Sequence, residues 1–595
     1  MSKNVHHLIA LAVLAAVPAA AHVGGPSVHD TVAGVIERLK DSHEPEALVA
    51  LKEADALALL TEKERDVLGS HYLTFNVDVP VVVSVIQDAR LGDRPFWLHD
   101  LEFRKRDLTV ELERRAFDVW EREFDAGEVG LGVPSLDGGA EHYIVAVRPA
   151  NEGDVVAITD IYPARHTLGT LERRAEAYAD DDTMVTVLPD EQEGLALISG
   201  VDENRQAAQY DNLFRVTEFP ATDFPDHVVL TWAGDPKTTQ AIQWRTSPEV
   251  TQAVVRFQKK ADFNRFDPRE PAEVEGITEP LDTPTLVNDP LVHRHTALLT
   301  GLEADTAYVY SVGDGSDDRW TELAEFTTAP DTVVPFSFIY MGDAQNGLDR
   351  WGTLVHNAFN RRPDAKFFVM AGDLVNRGAE RDDWDRFFEN AQGIYDRRQL
   401  VPALGNHEYQ GGDAEMYLRH FALPEEGPLG ERTYSFEYSN ALFVVLDSNR
   451  PVDTQTAWLD ETLGASDATW KFAVYHHPAY SSAPQRMNPE VRADWGAVFD
   501  KHHVDLALQG HDHAYLRTYP MKDGKPVGTA ADGTIYIVSV SGTKFYEQGD
   551  FDYTEKGLTN TPTYQVLDLQ IDGDRLVYHA YDLEGETVDE FVIEK

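Results

Sequence analysis

The chain has 595 residues, too many for one core, and its 42 % hydrophobic and 26 % charged residues mark a globular rather than a disordered protein. It carries 102 acidic against 52 basic residues, a net charge of −50, which is the wrong sign for tracking a nucleic-acid backbone. Cysteine is absent, which excludes disulfides, thiolate metal sites and a cysteine nucleophile, so any metal must be held by oxygen and imidazole nitrogen.

The first residues read as an export signal. Lys3 and two histidines precede the apolar run from Leu8 to Val17, Pro18 breaks it, and Ala19-Ala20-Ala21 supplies a small-residue cleavage pattern. The expectation is a signal peptide over 1–21 and a mature chain, starting near His22, that is secreted, periplasmic or held at the cell surface. No later segment approaches the ~20 apolar residues of a membrane span. The acidic coat favours solubility and suits a salty medium, which screens self-repulsion.

Residues 22–218 form the expected accessory region. Residues 30–70 read as helices, with Thr61 and Glu64 spaced as a capping box and Gly69 as a stop. From Tyr72 the period changes to the alternation of strands, in TFNVDVPVVVSVI, HYIVAVRPA and DVVAITDIY, which predicts a β-sandwich over 70–165. Residues 166–215 are mixed and acidic and carry no assignment. A second β-module spans 219–330, with about seven short alternating strands of immunoglobulin- or fibronectin-like spacing. Trp232 and Trp244 are expected in its core. Ala329-Pro330-Asp331 reads as a short hinge. Over 331–595 apolar strands (PFSFIYMG, KFFVMAG, LVPALG, ALFVVLD, KFAVYH, VDLALQG) alternate with amphipathic helices (TLVHNAFNRR, DDWDRFFENAQGIYDRR), the pattern of an α/β layered domain.

The chemistry lies at the ends of those strands. In order they carry MGDAQ (341–345), AGDLVN (371–376), GNHE (405–408), YHHP (475–478) and GHDH (510–513). Strand ends of open α/β sheets are where ligands bind, and glycine before four of the five clusters lets the backbone come close. Carboxylates, an amide and imidazoles converging along one sheet edge are costly unless a cation compensates them. The donor set suits divalent ions.

This five-block order resembles the calcineurin-like metallophosphoesterase superfamily and, with the preceding sandwich, looks most like its purple acid phosphatase branch over 219–595. The tail TYQVLDLQIDGDRLVYHAYD is similar to the closing hairpin of that family. The resemblance implies two β-sandwich modules followed by an α/β/β/α-layered catalytic domain. It implies that Asp343 and His513 bind a first metal, that Asp373 bridges, and that Asn406, His476 and His511 bind a second. In YHHPAY the His-x-Pro-x-Tyr spacing selects His476 over His477. His407 would face the substrate as a catalytic group beside Asp373.

One position departs from the family. Purple acid phosphatases have a tyrosine ligand three residues after the bridging aspartate, where this chain has Asn376, so no tyrosinate colour is expected. Gln345 stands where other superfamily members have a metal-binding histidine and is a candidate ligand. The expected cofactors are two divalent ions per subunit, manganese, iron or zinc. Arg377 in GDLVNRG resembles the phosphate-gripping arginine of serine/threonine protein phosphatases. Arg486 and Tyr546 fall in loops where the family contacts substrate. The implied function is hydrolysis of small phosphate esters by metal-activated hydroxide. A phosphomonoesterase leads. A phosphodiesterase acting on nucleotides or lipid head groups, a protein phosphatase, and a non-catalytic adhesion protein with a vestigial metal site are the alternatives.

Overall fold

A computed structural model describes residues 27–595 apart from 92–94, 114, 135, 137–141, 180–182, 202–213, 267–269, 485 and 570–574. The export-signal reading of residues 1–21 lies outside the described residues. Among those described, no helix is long and apolar enough to cross a membrane. The chain forms two compact units: residues up to Val216 with Pro284–Asn288, and Thr217–Thr283 with Asp289–Lys595.

The first unit begins with four helices, Val28–Ser42, Pro45–Val49, Glu53–Leu59 and Glu62–Ser70. The last is opened by the capping box: Thr61 Oγ1 accepts the Glu64 N–H, and Thr61 N–H donates to the Glu64 carboxylate at 2.9 Å. A three-stranded and a seven-stranded sheet follow. The strand Val81–Asp88 is buried along its whole length. Val83 and Val85 join a core with Trp97 and Tyr143, and Ile86 joins another with Val119 and Ile144. Both faces being covered, the strand reads as a continuous apolar run. The sheets do not stop near 165. Leu168–Thr170, Val185–Val187 and Ala196–Ile198 extend the larger sheet. Strands of three residues are too short to show a period, so the sequence hides them.

The second unit holds a sandwich of two four-stranded sheets and a layered α/β portion. Trp244 lies within the sandwich core with Tyr310 and Phe326. Trp232 faces the other way and packs edge-on against Phe367, ring centroids 5.5 Å apart. Val229 and Val292 turn the same way, into the core of the α/β portion. Ala329, read as part of a hinge, is fully buried in that shared core, and its N–H donates to the Pro236 carbonyl at 2.9 Å. The apolar face behind the sandwich sheet removes the freedom that a Pro-containing linker suggests.

The α/β portion has two sheets packed face to face. The six-stranded sheet contains β1 (Phe336–Met341), β2 (Phe367–Met370) and β3 (Gln399–Pro402), mutually parallel in the order β3-β2-β1, followed by the antiparallel strands Tyr564–Leu569, Arg575–Tyr581 and Thr587–Glu594. The seven-stranded sheet contains β4 (Trp470–Val474) and β5 (Leu506–Gln509), parallel neighbours at its centre. A layer of phenylalanines joins the sheets: Phe338 meets Phe443 and Phe472 at 5.1 and 5.4 Å between ring centroids. Helices Asp453–Ala465 and Pro489–His502 cover the outer face of the second sheet through Leu459, Leu463, Trp495 and Phe499. Helix Leu348–Arg361 packs against the first sheet, and its Trp351 stacks on Phe387 of helix Arg381–Asn390. That second helix is shorter than the amphipathic pattern suggests. It ends at Asn390, and Gly393 follows in a left-handed turn, φ +79°.

Candidate metal centre

The five donor clusters do not share one sheet edge, as the strand pattern suggests. Those at 343, 373 and 406 follow β1, β2 and β3 of the first sheet, and those at 476 and 511–513 follow β4 and β5 of the second. The C-terminal ends of two packed sheets thus face one another across the site. Four of the candidate ligands occupy the left-handed backbone region: Asp343 (φ 46°), Asp373 (52°), His511 (76°) and His513 (47°). Residues other than glycine rarely adopt it, and such strain clusters at functional sites.

Asp373, His476 and His511 form one group of donors, and Asp343, Asp373 and His513 form another, with all ligand atoms in each group within 4.8 Å of one another. Asp373 belongs to both. In the first group Asn406 Oδ1 is 3.1 Å from His476 Nε2 and 3.0 Å from His511 Nδ1, and His476 Nε2 is 3.2 Å from Asp373 Oδ2. Donors about 2.0–2.2 Å from one ion stand about 3–3.5 Å apart, so these spacings fit a shared cation. The remote nitrogens support that reading. His476 Nδ1 lies 2.9 Å from the Ala371 carbonyl and His513 Nδ1 lies 3.0 Å from the Lys544 carbonyl, so each donates its proton there and leaves Nε2 bare.

Gln345 also enters the site. Its Nε2 position is 2.9 Å from His513 Nε2, while Oε1 is buried with no hydrogen-bond partner. Turned over, Oε1 stands beside a bare imidazole nitrogen, two lone pairs at a spacing that suits a cation.

The charges inside the site are unbalanced without an ion. Burial pushes the Asp343 carboxyl well above the usual range. Burial pulls the His476 imidazole down, but the Asp373 carboxylate outweighs it and raises the group to about 9. Burial takes His513 down to about 3 and His511 well below the ordinary value. Without an ion, protons on both Asp343 and His476 thus offset the buried carboxylate charge, and a cation would displace them.

Glycine is needed where the loops touch. A Cβ on Gly405 would overlap Oδ1 and the backbone nitrogen of Asp373, and one on Gly510 would overlap Oδ2 of Asp343. The sequence reading passed over Glu408, the fourth residue of GNHE. Its buried carboxylate accepts backbone N–H groups from Gly405, Asp373 and Leu374 at 2.7, 2.9 and 2.8 Å. Only the fold shows that one acid serves two ligand loops.

The remaining candidates fall into two groups. His407 stands at the site: Nδ1 is 2.6 Å from the Asn376 carbonyl and Nε2 is 4.0 Å from Asp373 Oδ2. Arg486 and Tyr546 stand there too. Arg486 Nη2 contacts His511 Nε2, and the Tyr546 ring lies edge-on to His513, with centroids 5.0 Å apart. Arg377 is engaged elsewhere, with Nη2 at 2.5 Å from Asp383 and 3.0 Å from Asp382. His477, passed over as a ligand, is half-buried with Nδ1 at 2.9 Å from Ser448 Oγ.

Residues 225–328 match the family model for the purple acid phosphatase N-terminal domain, and residues 336–515 match that for calcineurin-like phosphoesterases. The phosphoenolpyruvate phosphatase of Allium cepa is 30 % identical over 256 residues, 38 % of this chain and 50 % of that protein. The Fe(3+)-Zn(2+) purple acid phosphatase 12 of Arabidopsis thaliana is 30 % identical over 251 residues, 38 % of this chain and 52 % of that protein. The chain spans about half the length of the curated relatives it matches. Among solved structures, a purple acid phosphatase from yellow lupin (Lupinus luteus) seeds has the same fold. Its TM-score is 0.56 at 15 % identity, over 89 % of this chain and 91 % of that one. The chain is thus similar, in the same domain order, to a purple acid phosphatase N-terminal domain followed by a calcineurin-like phosphoesterase domain, and it shares the fold of a purple acid phosphatase.

Proposed function

We propose that this chain is an exported phosphomonoesterase that works with two divalent ions, of manganese, iron or zinc, per subunit. One observation carries the reading: two donor groups share Asp373. The first ion would be held by Asp343, His513, Gln345 and Asp373, and the second by Asp373, Asn406, His476 and His511. With asparagine at 376 there is no phenolate oxygen to favour a trivalent ion. Ions bound there supply Lewis acidity, making water nucleophilic near neutral pH and neutralising charge on phosphate oxygens.

The protein's own groups do the rest. His407 gives its Nδ1 proton to the Asn376 carbonyl, which fixes the ring and turns Nε2 toward Asp373 and the substrate. From Nε2 it protonates the departing alkoxide, an effect of about 10²–10⁴-fold. Arg486, anchored beside His511, supplies positive charge at the rim of the site. Arg377 stays with Asp382 and Asp383 and takes no part. Export follows from the N-terminal sequence pattern alone.

Three measurements test this together: metal content of the purified protein, and hydrolysis of p-nitrophenyl phosphate and of bis(p-nitrophenyl) phosphate. The expected result is about two ions per chain and faster turnover of the monoester. A preference for the diester would make it a phosphodiesterase. Full-rate turnover by chelator-stripped protein would overturn the reading.

A further inference from the structure

The two histidines of the 511–513 turn have different outer neighbours. Arg486 leans on His511: Nη2 contacts its Nε2 and donates to its carbonyl at 3.1 Å. The segment after the buried strand Ile535–Val538 leans on His513. The Lys544 carbonyl accepts from His513 Nδ1, and the Tyr546 N–H donates to the His513 carbonyl at 3.2 Å.

These two sides meet at the Tyr546 ring. The Arg486 guanidinium carbon is 4.9 Å from the ring centroid and Lys544 Nζ is 5.1 Å from it. Arg486 is fixed from behind. Its Nε donates to Asp512 Oδ1 at 3.1 Å, while Asp512 Oδ2 accepts from Ser481 Oγ at 2.6 Å and from the Ser482 N–H at 2.5 Å. Asp512, next to two metal-ligating candidates, is thus spent on orienting an arginine. Lys544 is exposed, and among the described residues it has no carboxylate at ion-pair distance. In a chain with nearly two acids for every base, that charge is left available. Two cations against one aromatic ring attract an anion and repel each other in its absence. Their backbone neighbours are the metal-binding turn itself, so an anion held there lies beside the scissile phosphoryl group.

We propose that Lys544, Arg486 and Tyr546 form a subsite for a second anionic group. The centre then selects phosphate esters and anhydrides that carry another phosphate or a carboxylate next to the phosphoryl being cleaved. The inference rests on the phosphoesterase reading for its meaning, and on Lys544 for its specificity.

The test is calorimetric titration of the metal-loaded full chain with orthophosphate, methylenediphosphonate and 3-phosphonopropionate, whose P–C bonds resist hydrolysis, with metal content measured in every sample. Wild-type protein is expected to bind the two-anion ligands about tenfold tighter than orthophosphate. Lys544→Glu should cut that preference at least about fivefold, Lys544→Gln should act in the same direction, and Lys544→Arg should retain it. Loss of preference for methylenediphosphonate alone would identify the second group as phosphate, and loss for 3-phosphonopropionate alone as carboxylate. Equal weakening of all three ligands, or an unchanged preference with full metal content, would overturn the subsite. Selective binding without any phosphoester turnover would instead refute the catalytic reading and leave the subsite standing.

Discussion

One oxygen of Glu408 accepts the backbone N–H of Asp373 at 2.9 Å while also accepting that of Gly405 at 2.7 Å. A single buried acid therefore ties the loop of the shared carboxylate to the loop of Asn406. Burial, and then the Asp373 charge, raise its pKa to about 7. Glu408→Gln keeps the volume but turns one acceptor into a donor facing N–H groups. We expect metal affinity to fall by about 10–100-fold, as when a partner of a ligand is lost. Competition with a chromophoric chelator measures it, and unchanged affinity would remove Glu408 from the design.

Gly405→Ala tests the close approach of the same two loops. The added Cβ would overlap the Asp373 carboxylate and backbone nitrogen, neither of which is a flexible chain end. Overpacking of this kind costs about 1–3 kcal/mol. A lowered unfolding midpoint together with reduced metal content is expected. A variant that loads metal like the wild type would show that the loops are looser than these contacts imply.

Asp373→Asn removes the one charge common to both donor groups. The expected loss of p-nitrophenyl phosphate turnover is about 10³-fold, equivalent to about 4 kcal/mol of charge stabilisation. Steady-state kinetics with metal analysis checks it, and retention of full rate would refute the shared-ligand role.

His407→Ala should lower kcat by about 10²–10⁴-fold on an alkyl phosphate and far less on p-nitrophenyl phosphate, whose leaving group needs no proton. Metal content should stay at the wild-type level, since His407 is assigned to the proton and to no ion. Equal losses on the two substrates would assign the ring to binding instead.

Acid should weaken the first unit through His142. Burial, and then the neighbouring His166, lower its pKa to about 3, and its ring nitrogens meet Tyr72 Oη and the Tyr143 carbonyl. The folded pKa lies below the unfolded value of 6.5, so as pH falls the unfolded chain takes up the proton first. The contribution is complete above pH 6.5 and declines by about 1.4 kcal/mol per unit toward pH 3. By pH 5 about 2 kcal/mol should be gone. Denaturant unfolding of wild type and His142→Gln at pH 7 and 5 measures the difference, and parallel pH profiles would sink the assignment.

The donor set was legible because each cluster is local. Asp343, Asp373, Asn406, His476, His511 and His513 each follow an apolar run within a few residues, and order along the chain is enough to associate them. The layered fold was legible for the same reason, since strand and helix periods are short-range. Glu408 escaped because its partners, Asp373 and Leu374, lie 35 and 34 positions away and are backbone groups that any residue would offer. Arg377 resembles a phosphate grip by its motif, yet Asp382 and Asp383, only five and six residues on, take its guanidinium, and the motif does not show which way the arginine turns.

By itself, then, the chain's sequence determined the candidate donors, their order and the asparagine in place of a phenol at Asn376. Tertiary structure alone decided that those donors face one another from two sheets, that Ala329 is core rather than hinge, and that Arg486 and Lys544 converge on Tyr546. The physical reason is range: propensity and period act over a few residues, whereas the packing of phenylalanines between sheets brings together groups more than a hundred positions apart.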